Sequence, residues 1–369
     1  MNNFREEKPL GLIRKLGCGL FAFFLLIFIV SPASTSGLAD RQPIVEALQW
    51  VRAPLRDITR YDYIMTARLR LIFFWAGKDD VGGGYIRRGI SSEDSHQEFF
   101  QVLFGSDPQK APRAINRWGA GTEVAWHKDP VAFPPREDDV TSSVFFGFMK
   151  SSSGKSATEM QKELKKEQEQ GQHAFTGILS RVEVSRALST IVSLQSDTDF
   201  NLHQYDVAEP LMLDRIAHSD RPVRAREDSG RCSRAASFLA TVAELMNAAL
   251  AGNSAPLSRC YVHDAQENTL TLERVTPVGD LRVQLHGPKN AVLLDTSYSN
   301  LLQLDYASTH KLTGKRVEFS LMVGRQGNLR GVPIQIRYQP NWWFQIVLNL
   351  RPDSLQNPNS NTVPALAFR

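Results

Sequence analysis

Between Tyr61 and Trp75 every second position is uncharged: Tyr61, Tyr63, Met65, Ala67, Leu69, Leu71, Phe73 and Trp75. The alternates begin Asp62, Ile64, Thr66, Arg68 and Arg70, then turn apolar at Ile72 and Phe74. Successive side chains of a strand point to opposite faces, so this pattern predicts one strand with a buried face throughout and a far end buried on both. At ~3.3 Å per residue it would span roughly 50 Å, far beyond an ordinary strand. Such a strand bends, or runs through a large curved sheet. Lys78 to Gly84 reads as the turn that ends it, and Tyr85-Ile86-Arg87-Arg88 as the hairpin return.

The same alternation recurs along the chain. Glu98 to Phe104 reads as a strand or short helix, Val144 to Met149 as a strand, and Phe175 to Leu194 and Phe200 to Ile216 as further β segments. From Cys260 onward the pattern is strand and turn only: Leu281, Val283 and Leu285; Val317, Phe319, Leu321 and Val323; Val332, Ile334, Ile336 and Tyr338. Pro340-Asn341 reads as a turn into Trp342, Phe344, Ile346, Leu348 and Leu350. Short strands joined by short turns indicate an antiparallel meander, sandwich or barrel. Helical spacing is confined to Pro43–Val51, the charged stretch Ala157–Gln170 and the Ala/Leu-rich stretch Ala235–Leu250. The expected class is α+β, predominantly antiparallel β (a large curved sheet, a sandwich or an open barrel), with a few peripheral helices. Composition divides the chain into a β-rich region over 40–225 with a charged helical excursion near 155–170, a helix-plus-β region over 226–356, and a disordered tail over 357–369.

The first 39 residues set the expected compartment. Arg5, Lys8, Arg14 and Lys15 precede an apolar run from Leu16 to Val30, which Ser31-Pro32 breaks before the small residues leading to Ala39. That is the layout of a secretory signal peptide; uncleaved, it would be a single N-terminal signal anchor and the chain's contact with the membrane. Fifteen apolar residues fall short of the ~17–25 of an ordinary span. The expected location is the periplasm or extracellular space, where nucleotides and reduced thiols are scarce. Residues 1–39 hold four Lys/Arg and two Asp/Glu, so the formal charge falls from +4 to +2 for the remainder. Such a balance does not suit nucleic acid. Cys232 and Cys260 are the cysteines left, and an oxidising compartment pairs them as a disulfide. The absence of an Asn-x-Ser/Thr sequon fits a bacterial exported protein.

Several local motifs suggest chemistry. Ser151 to Ser156 ends in Gly-Lys-Ser, but Met149 stands where a P-loop needs its first glycine, so no nucleotide is expected. Asp79 and Asp80, followed by Gly82-Gly83-Gly84, are the best catalytic candidates: paired carboxylates can act as acid and base, although the same residues suit a plain turn. Asp197-Thr198-Asp199 reads as a turn. Arg221, Arg224 and Arg226 open an arginine-rich stretch suited to phosphate or carboxylate ligands. Alternation puts Trp342 in the core with Phe344 and points Trp343 outward as a contact residue. No Cys/His metal spacing and no cofactor motif is present. The functional expectation is an exported envelope protein that binds an apolar or amphipathic ligand or another envelope component, or serves in structure or assembly, without catalysis. The rival is an exported hydrolase of wall polymer, polysaccharide or lipid using Asp79 and Asp80.

Overall fold

The computed structural model describes residues 54–71, 74–112, 115–131, 140–150, 174–183, 186–195, 200–217, 224–228, 236–263 and 266–356. The expected helices over 43–51 and 157–170, the Gly-Lys-Ser segment, the Asp197–Asp199 turn and the terminal segments lie outside these residues.

The long alternating stretch forms two strands, not one. β1 (Leu55–Leu71) and β2 (Phe74–Ser91) pair antiparallel from Leu71 opposite Phe74 down to Leu55 opposite Ser91. The reversal therefore falls between Leu71 and Phe74, not at Lys78–Gly84. The apolar run across the reversal offers none of the Gly, Asn or Asp residues that mark a hairpin, so it reads as a doubly buried strand end. The aspartate–glycine segment lies inside β2. There the register jumps from Met65 opposite Gly82 to Ala67 opposite Lys78, so Asp79, Asp80 and Val81 bulge out across from Thr66. Asp80 has φ 52°, a left-handed conformation that Asp tolerates better than most residues.

The remaining strands are β3 (Gln97–Ser106), β4 (Trp118–His127), β5 (Val140–Lys150), β6 (Ala174–Glu183), β7 (Arg186–Gln195), β8 (Arg224–Asp228), β9 (Leu257–His263), β10 (Gln266–Val278), β11 (Leu281–His286), β12 (Val292–Tyr298), β13 (Leu301–His310), β14 (Arg316–Gly324), β15 (Pro333–Asn341) and β16 (Phe344–Leu350). Fourteen of them form one sheet in the order β8-β7-β6-β5-β4-β3-β2-β1-β16-β15-β14-β13-β10-β9, and β11 and β12 form a separate hairpin. Every pairing within this sheet is antiparallel. The predominantly antiparallel α+β class is thus the observed one. Both expected regions contribute to the one sheet, meeting where β1 pairs with β16.

The sheet curls. His263 at the end of β9 lies edge-on to Phe145 of β5, with ring centroids 5.0 Å apart, although ten steps of sheet order separate the two strands. No ladder joins β5 to β9 among the described residues. The concavity is filled by one continuous apolar cluster that includes Tyr63 and Met65 of β1, Phe104 of β3, Leu304 and Tyr306 of β13, and Leu348 and Leu350 of β16. Helix α2 (Phe238–Leu250) lies on this face and delivers Leu245, Met246 and Ala249 to the cluster. Phe238 packs on Tyr261 and Phe319 at centroid distances of 5.6 and 5.9 Å. Its N-terminus is capped by Glu123 of β4: one carboxylate oxygen accepts from Ser237 N at 3.2 Å, the other from Leu239 N at 2.9 Å and Ala240 N at 3.3 Å. A buried helix start needs an acceptor for these donors.

Residues 200–216, expected as β, are helical. A 3-10 turn at Leu202–Gln204 leads into α1 (Tyr205–Ala217). The buried residues Leu202, Tyr205, Ala208 and Leu213 follow a helical period, and Asn201 with Gln204 makes a capping box. This helix packs on the face of β2–β4 opposite α2. Trp342 is also misplaced by strand alternation. Asn341 pairs directly with Phe344, so Trp342 and Trp343 are the two turn residues between β15 and β16. Trp342 is exposed and not core, while Trp343 is half-buried beside Phe344 at 5.9 Å. A short α3 (Asp353–Gln356) ends the described chain, and no described helix is long and apolar enough to cross a membrane.

Candidate functional site

An open cleft of about 840 Å3 lies over the α1-side face of β1, β2 and β3. Ile64, Gly83, Tyr85 and Leu103 form its floor. The walls come from Asp107–Lys110 after β3, the Asn201–Asp206 segment leading into α1, Leu293 and Leu294 of the β11–β12 hairpin, and Arg351–Asp353 after β16. The glycine run makes the floor flat and close. A Cβ on Gly83 would collide with the Tyr63 carbonyl oxygen, and one on Gly84 (φ 153°) with that of Leu103. Only glycine permits this approach of β2 to both neighbours.

Polar side chains around the cleft are arranged in short pairs. Lys110 meets Asp80 at 2.9 Å, Arg60 meets Asp62 at 2.9 Å and Arg351 meets Asp353 at 2.6 Å, and His203 Nε2 lies 3.2 Å from Asp107. The Arg60 guanidinium also lies 4.0 Å from the centre of the Tyr85 ring, a cation–π contact. Beneath the floor, the Tyr85 hydroxyl donates to Gln101 Oε1 at 3.1 Å, and Tyr205 donates to Glu209 Oε1 at 2.6 Å. Gln101 Nε2 is within reach of Thr122 Oγ1, Tyr205 and Glu209 at 3.2, 3.0 and 3.2 Å. Burial first, and the Glu209 carboxylate second, push both phenols well above their usual range, so both remain protonated donors.

Asp79 and Asp80 do not converge. Asp79 is not among the cleft-lining residues and ties two elements together, accepting from Thr66 Oγ1 and from His286 N of β11, each at 2.9 Å. Asp80 alone lines the cleft, held by Lys110. Arg224 and Arg226 occupy backbone positions on β8, the edge strand, and Arg221 lies outside the described residues. Trp343 sits at the β15–β16 turn, away from the cleft lining. Cys260, on β9, is disulfide-bonded; Cys232, its expected partner, lies outside the described residues. Among the described lining residues there is no serine, threonine or cysteine to serve as a nucleophile. Nor does any described group of His, Cys, Asp and Glu form a metal site.

A second polar cluster is buried on the core-side face. Glu98 of β3 pairs with Arg88 of β2 and with His127 Nε2 of β4 at 3.0 Å. Burial alone would raise the Glu98 carboxyl, but Arg88 and then His127 outweigh it and hold the group below its usual range. Sequence reasoning overlooked this cluster and most of the cleft wall, because the partners sit on separate strands and loops with no motif spacing. The Asn201–Gln204 capping box was the one local signal for the α1 wall.

No protein-family model matches the sequence, and no curated protein matches it. Among solved structures the chain is similar to a β-barrel-like protein of a domain of unknown function from Brucella abortus, with 9% sequence identity over 81% of this chain and 98% of that one, at a TM-score of 0.37.

Proposed function

We propose that the chain is an exported cell-envelope protein that binds an amphiphile, or an amphipathic part of another envelope component, without catalysis. The cleft carries the reading. Its apolar floor and hairpin wall, Ile64, Leu103, Leu293 and Leu294, lie beside three ion pairs and the His203–Asp107 contact, so a ligand with a charged head and an apolar chain finds partners for both. Export rests on the apolar run Leu16–Val30 behind its four basic residues, and a Cys232–Cys260 disulfide suits that compartment. The hydrolytic reading named Asp79 and Asp80 as its pair, and of the two Asp80 alone lines the cleft, held by Lys110, while Asp79 bonds Thr66 and His286.

Displacement of a fluorescent fatty-acid analogue tests the binding reading. Leu293→Asp changes an exposed wall residue, and forfeiting the burial of a leucine, about 1.5–3 kcal/mol, weakens affinity roughly tenfold or more. Lys110→Met breaks the Asp80 pair and should alter preference among head groups while leaving the apolar contribution in place. Equal affinity in parent and Leu293→Asp would overturn the assignment to this cleft.

A further inference from the structure

Four of the seven exposed large apolar residues among the described residues lie along one edge of the sheet; Val207, Val292 and Leu293 lie elsewhere. Phe74 is 63% exposed, Trp75 39%, Leu312 81% and Trp342 67%. They belong to three hairpins, β1–β2, β15–β16 and β13–β14, which stand side by side in the sheet order β2-β1-β16-β15-β14-β13. All three reverse at the same edge. Leu69 pairs with Phe344, Arg70 pairs with Trp75, and Arg70 N donates to the Trp343 carbonyl at 2.8 Å, so the first two tips adjoin directly. Extending the β14–β15 register from Phe319 opposite Tyr338 brings the start of β14 level with Asn341, placing the Leu312 turn next in line.

Two cations along this edge have no carboxylate partner among the described residues: Arg70 and Lys315, both exposed. Lys311 is paired with Glu267, and Arg316 with Glu273 and Glu318. A folded chain rarely leaves large apolar groups on neighbouring tips unless something covers them. These tips stand side by side with cations beside them. That combination suits an anionic membrane surface: tryptophan and phenylalanine settle at the membrane interface, and lysine and arginine are drawn to anionic head groups.

We propose that this edge docks on an anionic phospholipid bilayer, with Phe74, Trp75, Leu312 and Trp342 entering the interfacial layer and Arg70 and Lys315 contacting head-group phosphates. The proposal rests on the hairpin edge and is independent of the cleft.

The test uses the full chain with vesicles of brominated phosphatidylglycerol and phosphatidylcholine, following tryptophan quenching. Residues 16–30 are common to all variants, so comparisons between variants report on the tips. The parent is expected to be quenched. Phe74→Asp with Leu312→Asp keeps every tryptophan and should lose most of that quenching, as should Arg70→Glu with Lys315→Glu. Trp75→Phe with Trp342→Phe should lower the quenched fraction of the emission, leaving Trp343 as the remaining tryptophan at the tips. Unchanged quenching in the Phe74→Asp/Leu312→Asp protein overturns the proposal. Equal quenching by pure phosphatidylcholine vesicles overturns its electrostatic part. If the parent self-associates, and the tip variant abolishes association without altering quenching, the edge is an interface between copies and the membrane assignment falls.

Discussion

Glu123 offers the sharpest physical test of the core. It is fully buried on β4 and accepts three backbone N–H groups at the start of α2. Burial raises its carboxyl from 4.5 to about 7, and the hydrogen bonds around Ser237, Leu239 and Ala240 offset only part of that rise. Between those values the folded protein holds a proton that the unfolded chain has released, so stability falls as pH rises through the window. At ~1.4 kcal/mol per unit the full excursion is about 3 kcal/mol. Glu123→Gln keeps an acceptor for the helix and removes the titration. The variant should match the parent near pH 4.5 and gain on it steadily up to pH 7, by about 3 kcal/mol in all. Glu123→Ala removes the acceptor and should cost about 1–3 kcal/mol at low pH as well. Urea unfolding of parent and variants across pH 4–8 measures both. A parent-to-Gln difference that stays flat, or turns against the variant as pH rises, would refute the reasoning, because the carboxylate would then be ionised and favourable in the fold.

His263 should supply a slope of the opposite sign. Burial lowers its imidazole to about 4, so the unfolded chain binds the extra proton between about 4 and 6.5 and stability rises with pH there; a histidine NMR titration with a midpoint near 6.5 in the folded protein would count against this. The two windows overlap, so the parent profile should be flatter than either single variant's. Glu98, held low by Arg88 and His127, contributes stability that is complete above its unfolded value and lost as pH falls through its depressed folded one. Removing its main partner by Arg88→Met strands a buried carboxylate and should cost about 3–5 kcal/mol at neutral pH, read as a shift in urea midpoint. Gly84→Ala drives a Cβ into the Leu103 carbonyl at φ 153° and should cost about 3 kcal/mol or more. By contrast Gly279→Ala meets open space and should add about 0.4–1 kcal/mol; thermal melts rank the two.

How much was legible depended on whether a signal was local. Period-two alternation announced a mostly antiparallel β chain, and the Ala/Leu spacing of α2 announced its helix. What alternation could not show was where a strand reverses without turn residues. Leu71 pairs directly with Phe74, and the apolar sequence on both sides of the reversal hides the switch of parity. The same logic misplaced Trp342, which sits in a turn that looks like a strand. Asp79 and Asp80 fall in a bulge of β2 that no local turn signal distinguished from a hairpin: one ties β1 to the β11–β12 hairpin, the other lines the cleft. The rest of the cleft was illegible because Arg60, Lys110, His203, Leu293 and Arg351 converge only when the sheet, two loops and a separate hairpin are assembled.

The most direct measurement is native mass spectrometry, with lipid extraction, of the protein purified under mild conditions. The account predicts a stoichiometric amphiphile that is retained by the Glu123→Gln protein and lost from Leu293→Asp. A clean unliganded mass for the parent, or a ligand held equally by Leu293→Asp, would contradict it.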